Sequence, residues 1–150
     1  LVPGELNGLT QPALALSSPE VTGDKDDGLL TMDKVIGLKI NADWVVLSAC
    51  NTASGAGAGS EAVSGLGRAF FFAGTKALLV SNWPVDSVAA RELMTDLFKN
   101  QQKEQNTTKA QLLRQAMLNQ INEGGMKEGK TMKYSYAHPL FWAPFVVVGD

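Results

Sequence analysis

Apolar residues fall along the chain in short β-rich runs separated by longer stretches with helical spacing. Four runs have strand length and turn or polar flanks: Ala13–Leu16, Trp44–Ala49, Ala77–Ser81 and Phe145–Val148. The middle two are apolar at successive positions, as expected of strands covered on both faces. Between and after them, apolar residues recur at intervals of three and four. In Ser60–Phe72 the stripe includes Leu66, Ala69 and Phe70, with Gly74 placed to stop the helix. In Ser87–Lys99 it is Ala90, Leu93, Met94, Leu97 and Phe98. In Thr108–Asn122 it is Leu112, Leu113, Ala116, Met117 and Ile121, with Thr108 as N-cap and Gly124-Gly125 as stop. A shorter helix is expected over Met32–Leu38, opened by Thr31. Two polar stretches, Ser17–Asp27 and Gly124–Ala137, read as surface loops.

Strands alternating with helices predict an α/β layered domain, a three-layer sandwich around a mostly parallel sheet. The 150 residues are enough for one domain, residues 1–150, and too few for two separate cores. Hydrophobic residues make up 45% and charged residues 19%, so composition supports a buried core rather than disorder.

Charge and composition narrow the function classes. Net charge is −2, without the clustered positive charge that nucleic acid or an anionic membrane surface requires, so neither is expected as a partner. The single cysteine rules out an internal disulfide framework and points to a reducing, cytoplasmic compartment. With one histidine as well, no metal site is expected, and no cofactor. No run approaches the ~20 apolar residues of a membrane span, and the first residues lack a basic secretory n-region. The chain opens on Leu1 rather than Met and is read as a piece of something longer.

Chemistry concentrates where the Trp44–Ala49 strand runs into Cys50 and a glycine-rich segment with Gly55, Gly57 and Gly59. Ligands of open α/β sheets bind outside the carboxyl ends of strands, which is where a nucleophilic cysteine would stand. Glycines there leave backbone amides uncovered, as an oxyanion or an approaching peptide would need. The plainer reading of a lone cysteine is a small buried hydrophobe. Gly57-x-Gly59-x-x-Ala62 imitates a dinucleotide fingerprint, but it lies seven residues beyond Cys50 rather than in the strand-to-helix turn, and no acidic residue follows at the required ~20-residue spacing. Walker and Gly-x-Ser-x-Gly motifs are absent.

Four ordered blocks then carry a resemblance: Leu47-Ser-Ala-Cys-Asn-Thr-Ala53, Gly65-Leu-Gly-Arg-Ala-Phe-Phe-Phe-Ala-Gly74, Val80-Ser-Asn-Trp-Pro-Val-Asp86, and His138-Pro-Leu-Phe-Trp through Gly149. In order and spacing they resemble the CHAT domain, a caspase-like, separase-related family often found behind tetratricopeptide repeats in bacterial proteins. The resemblance implies a caspase–haemoglobinase fold and a Cys–His dyad that cleaves peptide bonds, with a protein or peptide as substrate and tetratricopeptide repeats ahead of the domain in the parent chain. Cys50 matches the nucleophile. The family's general base is a histidine in a His-Gly pair ending the preceding strand, yet no histidine precedes Cys50 here. Leu1-Val-Pro-Gly falls just where the residues after that pair would lie. The expected molecule is therefore an N-terminally truncated domain, lacking its first strand or strands and inactive in isolation. Backbone amides at Cys50 and Gly55 are the candidate oxyanion donors.

Other residues carry two readings. Asp86 is either a pocket carboxylate for a basic substrate side chain or, together with Ser87, a helix N-cap. His138 is either a structural histidine bonded to the backbone or a displaced base. Trp83 and Trp142 read as core, Glu61 as a complement to a helix N-terminus, Arg68 as the anchor of an ion pair or of carbonyls, and the lysines at 127, 130 and 133 as a solvated loop. The rival functional classes are a non-catalytic caspase-like interaction module and, on the glycine segment alone, a nucleotide-binding domain.

Overall fold

A computed structural model describes residues 1, 3, 5–23, 25–47, 65–104, 106–129 and 131–149. Strand β1 (Ala13–Ala15) pairs antiparallel with β2 (Leu29–Thr31), Leu14 opposite Leu30, and a four-residue helix α1 (Pro19–Thr22) lies between them. Thr31 ends β2 and caps α2 (Met32–Ile36), its hydroxyl accepting from the Lys34 amide at 3.5 Å, as expected from the sequence. The main sheet follows: β3 (Val45–Leu47), β4 (Ala77–Ser81) and β7 (Phe145–Gly149), in the order β3-β4-β7.

Strand β4 organises the molecule. All five of its residues are buried, and side-chain alternation sends them to opposite faces. Leu78 and Val80 join Val35 of α2, Leu47 of β3, and Leu66, Ala69 and Phe70 of α3 (Gly65–Phe72). On the other side Leu79 and Phe145 pack with Ala90, Leu93 and Leu97 of α4 (Ser87–Lys103) and with Leu112, Leu113 and Ala116 of α5 (Lys109–Glu123). The three helical stripes read from the sequence are thus in the main the surfaces turned to the sheet, with Phe98 of α4 left exposed. Residues 60–64, placed by the sequence at the start of α3, lie outside the described residues. Gly74 stops that helix at φ +104°, where an added Cβ would sit 2.6 Å from the Ile40 carbonyl oxygen.

Two expectations are corrected. The described sheet is mixed rather than mostly parallel: β3 and β4 are parallel, but β4 and β7 are antiparallel, with Leu79 opposite Val147, and the two smaller sheets are antiparallel. The reason lies at the chain's return. Helix α6 (Pro139–Trp142) and Pro144 sit at the end of β4, where the Asn82 amide donates to the Pro144 carbonyl at 3.0 Å. A strand that starts where β4 stops runs back along it. An apolar run such as Phe145–Val148 looks the same in either direction.

The second correction concerns Gly124–Ala137, expected as a loop. It forms a hairpin of β5 (Gly125–Glu128) and β6 (Thr131–Ser135), with a register shift after Met126. Its strands are exposed and lysine-rich: Met132, Tyr134 and Tyr136 alternate with polar residues, but Gly125–Glu128 carries Met126 as its one large apolar side chain, so the segment as a whole reads as polar. Tyr136, just beyond β6, is buried against Ala89 and Phe141 and fastens the hairpin to α4 and α6.

Candidate functional site

Parallel pairing of β3 with β4, Leu47 opposite Val80, brings both strands to an end on the same side of the sheet. The chain leaving β3 at Leu47 enters residues 48–64, which include Cys50, Gly55, Gly57, Gly59 and Glu61. The nucleophile and oxyanion assignments therefore lie outside the described residues. What is described is the rest of the strand-end rim: the β4–α4 connection, α6 and the start of β7.

Two clips hold this rim together. The Asn82 backbone amide donates to the Pro144 carbonyl at 3.0 Å, and its side-chain Nδ2 reaches the same oxygen at 3.4 Å. The Trp83 indole N–H donates to the Leu140 carbonyl at 3.4 Å. The sequence reading did not single out Asn82, because its partner stands 62 residues away and no local pattern announces the contact. Trp83 and Trp142 are half-buried. Trp142 packs against the α4–α5 core while its indole N–H donates to the Ala137 carbonyl at 3.1 Å. Trp142 therefore combines packing with a polar tie, as buried indoles do, whereas what Trp83 shows is the tie to Leu140.

Asp86 takes the capping geometry. One oxygen accepts from the Val88 amide at 3.0 Å and the Ala89 amide at 2.9 Å, satisfying two donors that the first turn of α4 would leave open. The residue is exposed, so its carboxylate also faces solvent at the rim. His138 likewise caps a helix: Nδ1 accepts from the Leu140 amide at 3.2 Å at the start of α6. A ring that accepts through Nδ1 carries its proton on Nε2 when neutral. This is the backbone-bonded structural histidine of the two readings. Nearby, burial pushes the Tyr136 hydroxyl above its usual pKa, and the charges of Glu92 and Asp86 add to that.

Away from the rim, a groove of about 600 Å³ runs between α4 and α5, lined by Arg91, Asp96, Lys99, Asn119, Gln120 and Glu123 among others. Asn119 Nδ2 donates to Asp96 across it at 3.2 Å, and Gln120, almost fully buried, donates to the Ala89 carbonyl at 3.1 Å. These contacts tie the two helices together. Among the described residues, no group of three or more His, Cys, Asp or Glu side chains is arranged to hold a metal ion. Nor is any described helix long and apolar enough to cross a membrane.

The family model of the CHAT domain matches residues 4–150. No curated protein and no solved structure matches the chain.

Proposed function

The chain belongs to the CHAT domain family, a caspase-like family, and from that premise we propose that it is the body of a cysteine endopeptidase with Cys50 as nucleophile. The observation that carries the reading is the family match over residues 4–150, which spans the Leu47–Ala53 block. Parallel pairing of β3 and β4 supports it, since the chain enters that block at the strand-end side of the sheet, where α/β folds place their ligands. The finer architecture we propose is the caspase–haemoglobinase sandwich, for which helices on both faces of β4 speak.

In the proposed reaction an imidazole takes the Cys50 proton and the sulfur attacks the peptide carbonyl carbon. Backbone amides, those of Cys50 and Gly55 among them, hold the oxyanion. The amine leaves with the proton from the imidazolium, and water cleaves the resulting thioester. The substrate is a polypeptide, and a basic side chain of it would meet the solvent-facing carboxylate of Asp86. Of the 150 residues only His138 offers an imidazole, and its Nδ1 is engaged at α6. The base is therefore assigned outside this chain, and the chain alone is a weak catalyst. That same observation favours the second reading, a non-catalytic interaction module.

The pH dependence of Cys50 alkylation by iodoacetamide, with Cys50→Ala as blank, tests the assignment. The 150-residue chain should alkylate with a midpoint near the ordinary thiol value of about 8.5 and hydrolyse no peptide. A version extended upstream to include a His-Gly pair should shift the midpoint by at least about one unit downward and cleave. An unshifted midpoint with no turnover in the extended protein leaves the interaction module.

A further inference from the structure

Four of the large apolar side chains left exposed in this molecule are gathered on the β5–β6 hairpin and the adjoining α6: Met126 at 57%, Met132 at 40%, Tyr134 at 52% and Leu140 at 54%. The hairpin rungs interleave them with charge, Met126 opposite Tyr134 and Lys127 opposite Met132. Beneath them the support is firm. The Tyr134 ring meets those of Tyr136 and Phe141 edge-on at 5.8 and 5.5 Å, and Tyr136 is buried. Tyr134 is thus half exposed on an ordered base, the arrangement that lets an aromatic side chain anchor a partner at small entropic cost.

The charge runs against that of the rest of the chain. Residues 125–135 contain Lys127, Lys130 and Lys133 against a single Glu128, in a protein whose net charge is −2. Lys133 pairs with Glu128 at 2.7 Å, whereas Lys127 has no ion pair among the described residues. An apolar patch set with an unneutralised cation fits a surface of the opposite kind.

We propose that the β5–β6 hairpin with α6 is a docking surface for a partner polypeptide that presents apolar side chains flanked by carboxylates. None of its residues is assigned to the Cys50 chemistry, although α6 also borders the strand-end rim. Fluorescence anisotropy on the 150-residue chain carrying Cys50→Ala tests it without interference from turnover. The probe is a short fluorescein-labelled peptide alternating glutamate with leucine. The controls replace its glutamates by lysine or its leucines by serine, and a further arm uses phosphatidylserine–phosphatidylcholine vesicles. The acidic apolar peptide should bind at least about tenfold more tightly than either control, and Lys127→Glu and Met126→Ser should each weaken it about fivefold or more. Both substitutions are at exposed positions, and an unchanged circular dichroism spectrum confirms that the variants fold. Absence of binding, equal affinity for the three peptides, indifference to both substitutions, or binding to vesicles alone overturns the proposal.

Discussion

At Asp86 one carboxylate oxygen serves two backbone amides, so the residue has a structural task whether or not its solvent-facing side also meets a substrate. The two roles separate by substitution. Asp86→Ala should cost about 1 kcal/mol in urea unfolding, whereas Asp86→Asn, which still caps, should cost a few tenths at most. Equal losses in the two variants would remove the cap from the account. A second residue, Lys34, organises the 26–29 segment: its ammonium reaches Asp26 at 2.7 Å, Asp27 at 2.6 Å and the Leu29 carbonyl at 2.8 Å. The hydrogen bond from Lys34, helped by the Leu29 amide, holds Asp27 well below the ordinary carboxylate range. A carboxyl depressed in the folded state releases its proton more readily there than in the unfolded chain. Its contribution to stability is therefore full above about pH 4 and is lost as the pH falls towards the folded value. Lys34→Met should flatten the fall in melting temperature between about pH 5 and pH 2. The groups are solvent-exposed, so the effect should also shrink in high salt. A variant as acid-sensitive as the parent contradicts this.

Elements end where backbone conformation forces them to end. Helix α3 stops before Gly74, whose φ of +104° and 2.6 Å approach of a built Cβ to the Ile40 oxygen leave room for no side chain. Gly74→Ala should cost about 1–3 kcal/mol, read as a lowered denaturation midpoint with an unchanged m-value. By contrast Gly129, also at positive φ, has nothing within 4 Å, so alanine there should cost only the conformational strain. Helix α5 shows how far local sequence reaches: Thr108 accepts from the Gln111 amide while the Gln111 side chain accepts from the Thr108 amide, a reciprocal cap written into four residues. The hairpin shows where it stops. Met132 and Tyr134 alternate with polar residues along β6 but Gly125–Glu128 shows no such period, and the hairpin's place is decided by the packing of Tyr136 and Phe141.

For the whole molecule, β4 is the shared wall of two cores. Leu78 and Val80 serve the α2–α3 side, and Leu79 serves the α4–α5 side. Leu79→Ala should therefore lower global stability by about 2–5 kcal/mol in a single cooperative transition seen alike by fluorescence and circular dichroism. Phe72→Ser, at a position 78% exposed, should change it little. Two separate transitions in the Leu79 variant would mean that the faces fold independently. The same arrangement governs the site: both strands that run parallel end on one side, where the Trp83 clip holds α6 and the Asn82 clip holds Pro144 just before β7.

Short-range physics made the four main apolar strand runs, the helical stripes of α3, α4 and α5, the Thr31 and Thr108 caps and the Gly74 stop legible in the chain alone, because each depends on side-chain period or on backbone freedom within a few residues. The CHAT blocks, likewise contiguous in sequence, identified the family. The caps at Asp86 and His138 act on amides two or three residues on, and only the folded backbone chose between their two readings. Strand direction, the fastening of the hairpin and the ties of the rim, by contrast, were settled by partners far away in the chain. Pro144 meets Asn82 across 62 residues, and Leu140 meets Trp83 across 57. Such contacts leave no periodic trace, since their energy depends on which elements meet in space and not on the order of the residues that make them.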